Sequence, residues 1–363
     1  MTLALSDQDR AWLDELAASI YLVNGLARQR AEERQQTLIK PPGSLGELET
    51  ISVRLAAILG SERPAPDGAT VIVAAADHGV SADGVSAFPA AVTAAMTQGL
   101  LAPTAAGTGG AAISAIARSV RADVVVLDCG VNAELPDHPQ LRKVAVRRGT
   151  DNLRVGPAMS GTEAVAMIRA GADAARAAIA GGADFVVPAE IGIGNTTAAA
   201  VITARALDRH PADVTGRGTG IDDAVLDHKI AVVAEALARA DAEDPVEVLA
   251  EFGGFEIAAM VGMMLATADE QRVIVLDGFV EAAAALIAVS IAPAVNDYLV
   301  ATGRCAERGH GAQLADLGLR PLWDLGLRLG EGTGGALAIP VLRAAAATLR
   351  EMQTFAEAGV PTE

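Results

Sequence analysis

The 363-residue chain carries 45 acidic against 28 basic side chains, a net charge of −17, with 51% hydrophobic and 3% aromatic residues. So acidic a chain, without a basic stripe to displace counterions from phosphates and with few rings to stack on bases, argues against a nucleic-acid partner. The apolar run Ala282 to Asn296, bracketed by Glu281 and Asp297 and interrupted by Ser290 and Pro293, is shorter than the roughly 20 residues a membrane span takes, so no span is expected.

A chain of this length builds two domains, or one large α/β domain with a smaller attachment. Cys129 and Cys305 make neither a disulfide framework nor a thiolate metal cluster, which fits a reducing compartment. Asp7, Asp9, Arg10 and Glu15 replace the basic start of an export signal, so a cytoplasmic location is expected.

Residues 3–36 read as an amphipathic helical arm, with Leu13, Ala17, Ile20 and Leu26 among polar positions and a break near Asn24-Gly25. The stretch Lys40 to Glu49 (KPPGSLGELE) stops that arm with two prolines and restarts a helix. Ser44 is its expected N-cap, with Glu47 at capping-box spacing. Lys40 and Ser44 are the residues here with reach to a ligand.

From Thr70 the texture changes to short β-branched runs between alanine-rich segments. Thr70–Ala74, Asp123–Leu127, Asp184–Val187 and Arg272–Leu276 are expected as buried parallel strands, and their alternation with helices predicts an α/β sheet covered on both faces. Ligands in such folds gather at the carboxyl ends of strands. There the chain places Asp77-His78-Gly79, Asp128-Cys129-Gly130, Glu190 and Asp277-Gly278, four polar strand ends expected to converge.

Asp77-His78 has no HxxxH or HxH partner among His138, His210, His228 and His310 and no cysteine pair, so no metal is expected. The two residues are expected to hydrogen-bond one another or the backbone and shape the loop from Gly79 to Pro89. Beyond it, Phe88, Val92 and Met96 offer one wall of an apolar slot, or ordinary core packing.

Pro188 to Thr197 (PAEIGIGNTT) runs from a strand into a helix expected over Ala198–Leu207, with Asn195 or Thr196 as N-cap. Ile191, Gly192 and Gly194 lead into that cap and form an anion seat suited to a phosphate. Thr215 to Gly220 (TGRGTG), with Gly218 and Gly220, is a second such turn before the expected N-cap Asp222, around which Ile221 and Leu226 are placed as a hydrophobic staple. Lys229, among apolar Ile230, Val232 and Val233, is expected to snorkel to solvent.

Leu327 to Gly335 (LRLGEGTGG) sets one carboxylate among Gly330, Gly332, Gly334, Gly335 and Thr333. Glycines this dense let backbone N–H groups approach an anion or a flat ring, and the apolar run Ala336–Leu342 leaves as a helix. Glu331 is the expected catalytic base; the alternative is that it satisfies backbone donors in a tight turn.

Seven motifs in order, KPPGSLGELE (Lys40–Glu49), ADHGV (Ala76–Val80), EIGIGNTT (Glu190–Thr197), GRGTG (Gly216–Gly220), GGF (Gly253–Phe255), LDGF (Leu276–Phe279) and RLGEGTG (Arg328–Gly334), resemble the nicotinate-nucleotide:5,6-dimethylbenzimidazole phosphoribosyltransferases. The resemblance implies a cytoplasmic homodimer without a cofactor. It implies a three-layer Rossmann-like parallel sheet over residues 66–339 and a small helical domain made of 1–65 together with 340–363. The implied reaction moves the phosphoribosyl group of nicotinate mononucleotide to 5,6-dimethylbenzimidazole with inversion at C1′, giving α-ribazole 5′-phosphate and nicotinate for the cobalamin lower ligand.

Residue by residue, Glu331 matches the family's catalytic glutamate and Glu190 a second active-site carboxylate. Gly192, Gly194, Gly218 and Gly220, with Asn195 and Thr196, become phosphate and ribose seats, and Lys229 matches a lysine that meets the phosphate, within a subunit or across the dimer. The chain also departs from the family. A stretch often S-H-x-S-x-E reads Thr302-Gly303-Arg304-Cys305-Ala306-Glu307, Met96 replaces a glutamine of another member, and Phe88 stands near a position that can be serine. The last two changes make the slot more apolar. A purine or phenolic acceptor is the alternative within the same reaction. A non-catalytic nucleotide-sensing module and a nicotinamide-dependent oxidoreductase are the alternatives outside it, the latter lacking a strand ahead of Gly216-x-Gly218-x-Gly220.

Overall fold

The computed structural model describes residues 3–360. The charged arm forms α1 (Asp7–Ser19) and α2 (Gly25–Thr37), divided where Ile20 and Asn24 take extended backbone. Asn24 accepts the Ala27 N–H at 2.9 Å, so the break sits at a residue that caps the next helix better than it continues the last. Helix α3 (Glu47–Ile58) corrects the expected cap. Its N-cap is Gly46 at φ 55°, with no side-chain cap, while Ser44 N–H closes a turn on the Pro41 carbonyl. Glu49 accepts the Leu45 N–H at 3.0 Å and pairs with buried Lys40 at 2.8 Å, so the motif is consumed in shaping its own turn.

The chain continues through β1 (Gly68–Ala76), α4 (Ala91–Leu101), a small hairpin of β2 (Pro103–Thr104) and β3 (Gly107–Thr108), α5 (Ala112–Ser119), β4 (Asp123–Gly130) and β5 (Leu141–Lys143). Then come α6 (Gly161–Ala180), β6 (Ala183–Ile191), α7 (Asn195–Leu207), α8 (Pro211–Val214), α9 (Asp223–Arg239), α10 (Pro245–Phe252) and α11 (Phe255–Asp269). The last elements are β7 (Val273–Leu276), α12 (Phe279–Ile291), β8 (Leu299–Ala301), α13 (His310–Asp316) and α14 (Thr333–Glu351).

Six strands form one parallel sheet in the order β5-β4-β1-β6-β7-β8. The four β-branched runs are its four inner strands. Every residue of β1 from Ala69 to Ala76 is buried, as a strand covered on both faces requires. From β1 the chain first builds outward through β4 and β5, then crosses to β6 on the other side. The loops after β1 and β6 therefore diverge and leave a crevice at the carboxyl edge.

Helix α11 backs the sheet and crosses α6 at two glycines: a Cβ on Gly262 would lie 1.8 Å from the Ile168 carbonyl oxygen, and one on Gly171 1.8 Å from that of Ala259. Helix α14 begins beside the crevice and ends among the terminal helices, where it packs on α3 and α2. Arg34 donates to the carbonyls of Leu349 and Met352 at 2.7 Å each, holding the last turn of α14 where a cation also suits the helix dipole. Among the described residues no helix is long and apolar enough to cross a membrane.

Candidate active site

A pocket of about 420 Å³ opens at the carboxyl ends of β1, β6, β7 and β8. Of the four polar strand ends, only Glu190 and Asp277 line it. Asp128 closes its own turn, accepting the N–H groups of Gly130 and Val131 at 3.1 and 2.9 Å, and Asp77 accepts the Asn132 N–H at 2.8 Å. His78 pairs instead with Glu256 of α11 at 2.6 Å, both side chains fully buried. A partner 178 residues away is invisible to local pattern. The pair braces the turn above it: a Cβ on Gly192 would stand 2.6 Å from the Ala76 carbonyl oxygen and 3.3 Å from the His78 ring.

That turn carries Glu190 into α7. The N-cap is Gly194 at φ 103°, not Asn195 or Thr196, because the chain must reverse sharply and glycine alone does so without strain. Asn195, pushed into the first helical turn, bends its side chain back and donates to Glu190. Burial first, then the carboxylates of Glu281, Glu256 and Asp277, push Glu190 well above the usual carboxylate range.

Lys229 does not snorkel. It is 1% exposed, because α9 presses it against α7, where it donates to Thr196 Oγ1 at 2.7 Å. Desolvation lowers its pKa to about 8, against the opposing pull of Glu307. Glu307 in turn accepts the Gly218 N–H at 2.8 Å. Thr196, Gly218 and Glu307 line the pocket, with Lys229 behind them. Gly220 and Gly332 lie outside the lining. Gly220 turns the chain at φ 92°, and Gly332 lies on the sheet, where a Cβ would come 2.8 Å from that of Ala189.

The Glu331 turn is the most strained backbone of the site. Gly330, Glu331 and Gly332 stand at φ 78°, 59° and 77°, and a glutamate in the left-handed region costs about 1 kcal/mol or more. A Cβ on Gly330 would fall 2.2 Å from Glu190 Oε1, so glycine there lets the second carboxylate lie on the backbone next to Glu331. The helix begins at Thr333, earlier than the apolar run suggests, and Asp277 accepts its Gly334 and Gly335 N–H groups at 2.7 and 3.2 Å. None of the N–H groups of its own turn bonds to the Glu331 side chain. That carboxylate is 3% exposed, and its Oε2 has no hydrogen-bond partner among the described residues. Burial and then Asp277 push it above the usual glutamate range.

Two further acids line the site: Asp277, expected at a polar strand end but given no role, and Glu281, which the sequence reading missed. Asp277 is raised to about 6 and Glu281 to about 8, both by burial first; the Asp277 charge raises Glu281 further, while the N–H groups of Gly334 and Gly335 hold Asp277 down. The signal was present in LDGFVE, an acid at a strand end followed four residues later by another in the first helical turn. Glu190, Asp277, Glu281 and Glu331 thus gather with no basic side chain among the described residues in ion-pair contact, which makes the site a ready host for positive charge.

Phe88, Val92 and Met96 line the pocket from the loop after β1 and from α4. Trp323 also joins the lining, held by the Arg304 N–H donating to its carbonyl at 3.0 Å. Gly303 is what admits it, since a Cβ there would meet the indole nitrogen at 3.0 Å. In the altered segment Thr302 bonds the Leu276 carbonyl at 2.8 Å and Cys305 N–H donates to His310 at 3.0 Å, both fixing the edge of the sheet.

A family model described as phosphoribosyltransferase matches residues 20–360. The chain is similar to nicotinate-nucleotide–dimethylbenzimidazole phosphoribosyltransferase of Deinococcus radiodurans, 60% identical over 354 residues that cover 98% of this chain and 97% of that one. The protein of the same name from Roseiflexus sp. strain RS-1 is 49% identical over 96% of this chain and 98% of its own. The crystal structure of CobT from Thermus thermophilus superposes with a TM-score of 0.89 at 49% identity, over 93% of this chain and all (100%) of that one.

Proposed function

The chain belongs to the nicotinate-nucleotide–dimethylbenzimidazole phosphoribosyltransferase family, and we propose that in its reaction Glu331 is the base, Glu190 the second carboxylate at the reacting carbon and Lys229 the phosphate anchor. The reaction transfers the phosphoribosyl group of nicotinate mononucleotide to 5,6-dimethylbenzimidazole, giving α-ribazole 5′-phosphate and nicotinate. The observation that carries the assignment is the buried Glu331 carboxylate, one oxygen of it without a hydrogen-bond partner among the described residues, set beside that of Glu190 across Gly330.

The nucleotide already carries a pyridinium leaving group, so the C1′–N bond breaks with its electron pair passing to the ring nitrogen. Positive charge grows on C1′ as this happens; it draws down the raised pKa of Glu190, whose carboxylate then stabilises the cation. An imidazole nitrogen of the acceptor forms the new bond from the opposite face, which converts β to α configuration. The acceptor is then cationic and gives its N–H proton to Glu331, assistance typically worth about 10²–10⁴-fold. Holding both rings against one ribose supplies much of the rest.

Lys229, Thr196 and the N-terminus of α7 after Gly194 suit the 5′-phosphate. Phe88, Val92 and Met96 suit the dimethyl edge of the acceptor better than a purine or a phenol. A homodimer accords with the exposed Tyr21 and Leu22 between α1 and α2 and Leu26 in the first turn of α2. The packing of α14 on α2 and α3 accords with a helical domain of 1–65 together with 340–363, and the composition with a cytoplasmic location.

The test mixes purified protein with nicotinate mononucleotide and 5,6-dimethylbenzimidazole and follows nicotinate and the α-nucleotide by chromatography. Equal yields are expected. Nicotinate released only with a purine or a phenol would reassign the acceptor, and no release with any base would leave the nucleotide-sensing reading.

A further inference from the structure

We infer that Asp277 is a positioning residue for this reaction: its carboxylate ties the first turn of α14 to the end of β7 and thereby fixes Glu331 in front of Glu190. The inference rests on the reading of Glu331 as the base. Helix α14 starts from Gly332, which has no side chain to cap it, so its leading N–H groups need an acceptor from elsewhere. Asp277 supplies it from 57 residues earlier in the chain, one oxygen accepting both Gly334 and Gly335. Gly334 is shaped by that contact, since a Cβ there would come 2.4 Å from the accepting oxygen.

The need for such an anchor follows from the turn itself. Three successive left-handed residues have no regular hydrogen-bond ladder to hold them, and within the turn only the Thr333 hydroxyl and N–H reach back, to the Gly330 carbonyl at 2.9 and 3.1 Å. The tie to β7 gives this turn a hydrogen-bonded link to the sheet that carries Glu190, beside the packing of Gly332 on Ala189. Glu281 secures the tie from below by accepting the Gly278 N–H at 3.1 Å, fixing the corner from which Asp277 projects.

The second oxygen of Asp277 is buried without a partner among the described residues, and Asp277 lines the pocket. Its charge therefore acts on Glu331 as well, in the same sense as burial, and makes Glu331 hold a proton more tightly. The other charged groups of the lining are Glu190 at the end of β6, Glu281 on α12, Glu307 beside the Gly218 turn, and Arg304 and Arg328, two exposed cations. Glu256, on α11 beneath Glu190, is already paired with His78.

The experiment compares Asp277→Asn, Asp277→Ala and Glu331→Gln in the full-length protein, measuring kcat, KM for the nucleotide and the pH profile of kcat, with thermal unfolding as a folding check. Asparagine keeps an accepting oxygen for Gly334 and Gly335 but removes the charge; alanine removes both. Asp277→Asn should move the acid limb of the profile to lower pH. Asp277→Ala should have a kcat lower than that of Asp277→Asn by about 10²-fold, the cost typical of a reacting group displaced by about 1 Å, with KM for the nucleotide within a few-fold. Equal kcat in the two Asp277 variants, or an unmoved limb in Asp277→Asn, overturns the inference. If the alanine variant does not fold, the limb in Asp277→Asn decides alone. A limb that survives in Glu331→Gln overturns the assignment of the base instead, a separate outcome.

Discussion

The wall contributed by the loop after β1 and by α4 presents Phe88, Val92 and Met96 to the pocket, whereas the wall contributed by α7, the Gly218 turn and residues 302–307 presents Thr196, Gly218 and Glu307 with Lys229 behind. The first has no charge to offer and suits a neutral flat ring. The second couples a buried ammonium to the Thr196 hydroxyl at the start of α7, and suits a phosphate. Glu190 and Glu331 belong to neither wall. On the proposed assignment the contrast teaches how one pocket keeps two planar substrates apart: polarity would sort them onto different walls, with the carboxylates acting only where both meet the ribose.

Removing the shared element should cost the most. Glu331→Gln is expected to lower turnover by at least about 10²-fold while nucleotide affinity, measured by calorimetry, stays within a few-fold, as for a lost general base. Lys229→Met attacks the polar wall alone and should raise KM for the nucleotide by about 10- to 100-fold, the worth of one charge-assisted contact, with kcat changed less. In the unmodified protein the same lysine gives nucleotide affinity a basic limb. Lys229 loses its proton as pH rises through about 8, so affinity falls above that value.

The apolar wall should answer to a different substrate. Met96→Gln is expected to shift the rate ratio between dimethylbenzimidazole and a purine by about tenfold toward the purine, leaving KM for the nucleotide unchanged. A change outside both walls sets the floor: Ser44→Ala should move unfolding stability by less than about 0.5 kcal/mol, because Ser44 caps no helix. Were Met96→Gln to alter nucleotide binding, or Lys229→Met to alter acceptor choice, the division of the pocket would fail.

The sequence made the inner sheet readable because buried parallel strands are continuous β-branched runs, as in β1, β4, β6 and β7. The edge strands β5 and β8, three residues each, are too short to carry a pattern. The place of Glu331 in the pocket lining was legible because a lone acid among glycines has no cheap structural use. Lys229 misled, since a lysine among apolar helix neighbours looks the same whether it reaches water or is covered by α7, and only the packing of α9 decides. Ser44 and Asn195 misled for a related reason: both fit cap statistics, but in each case a nearby glycine at positive φ, Gly46 or Gly194, takes the N-cap position. Asp277 was read as a strand-end acid, while its bond to a helix 57 residues away belongs to the fold alone.

The most direct test of the central claim is kcat as a function of pH for the unmodified protein and for Glu331→Gln. Glu331 must be ionised to accept the proton, and its folded-state pKa lies above the ordinary 4.5. The account therefore predicts a rate that falls as pH drops through a value above 4.5, and the loss of that limb, together with most of the turnover, in the variant. An acid limb that persists unchanged in Glu331→Gln at undiminished turnover would contradict it.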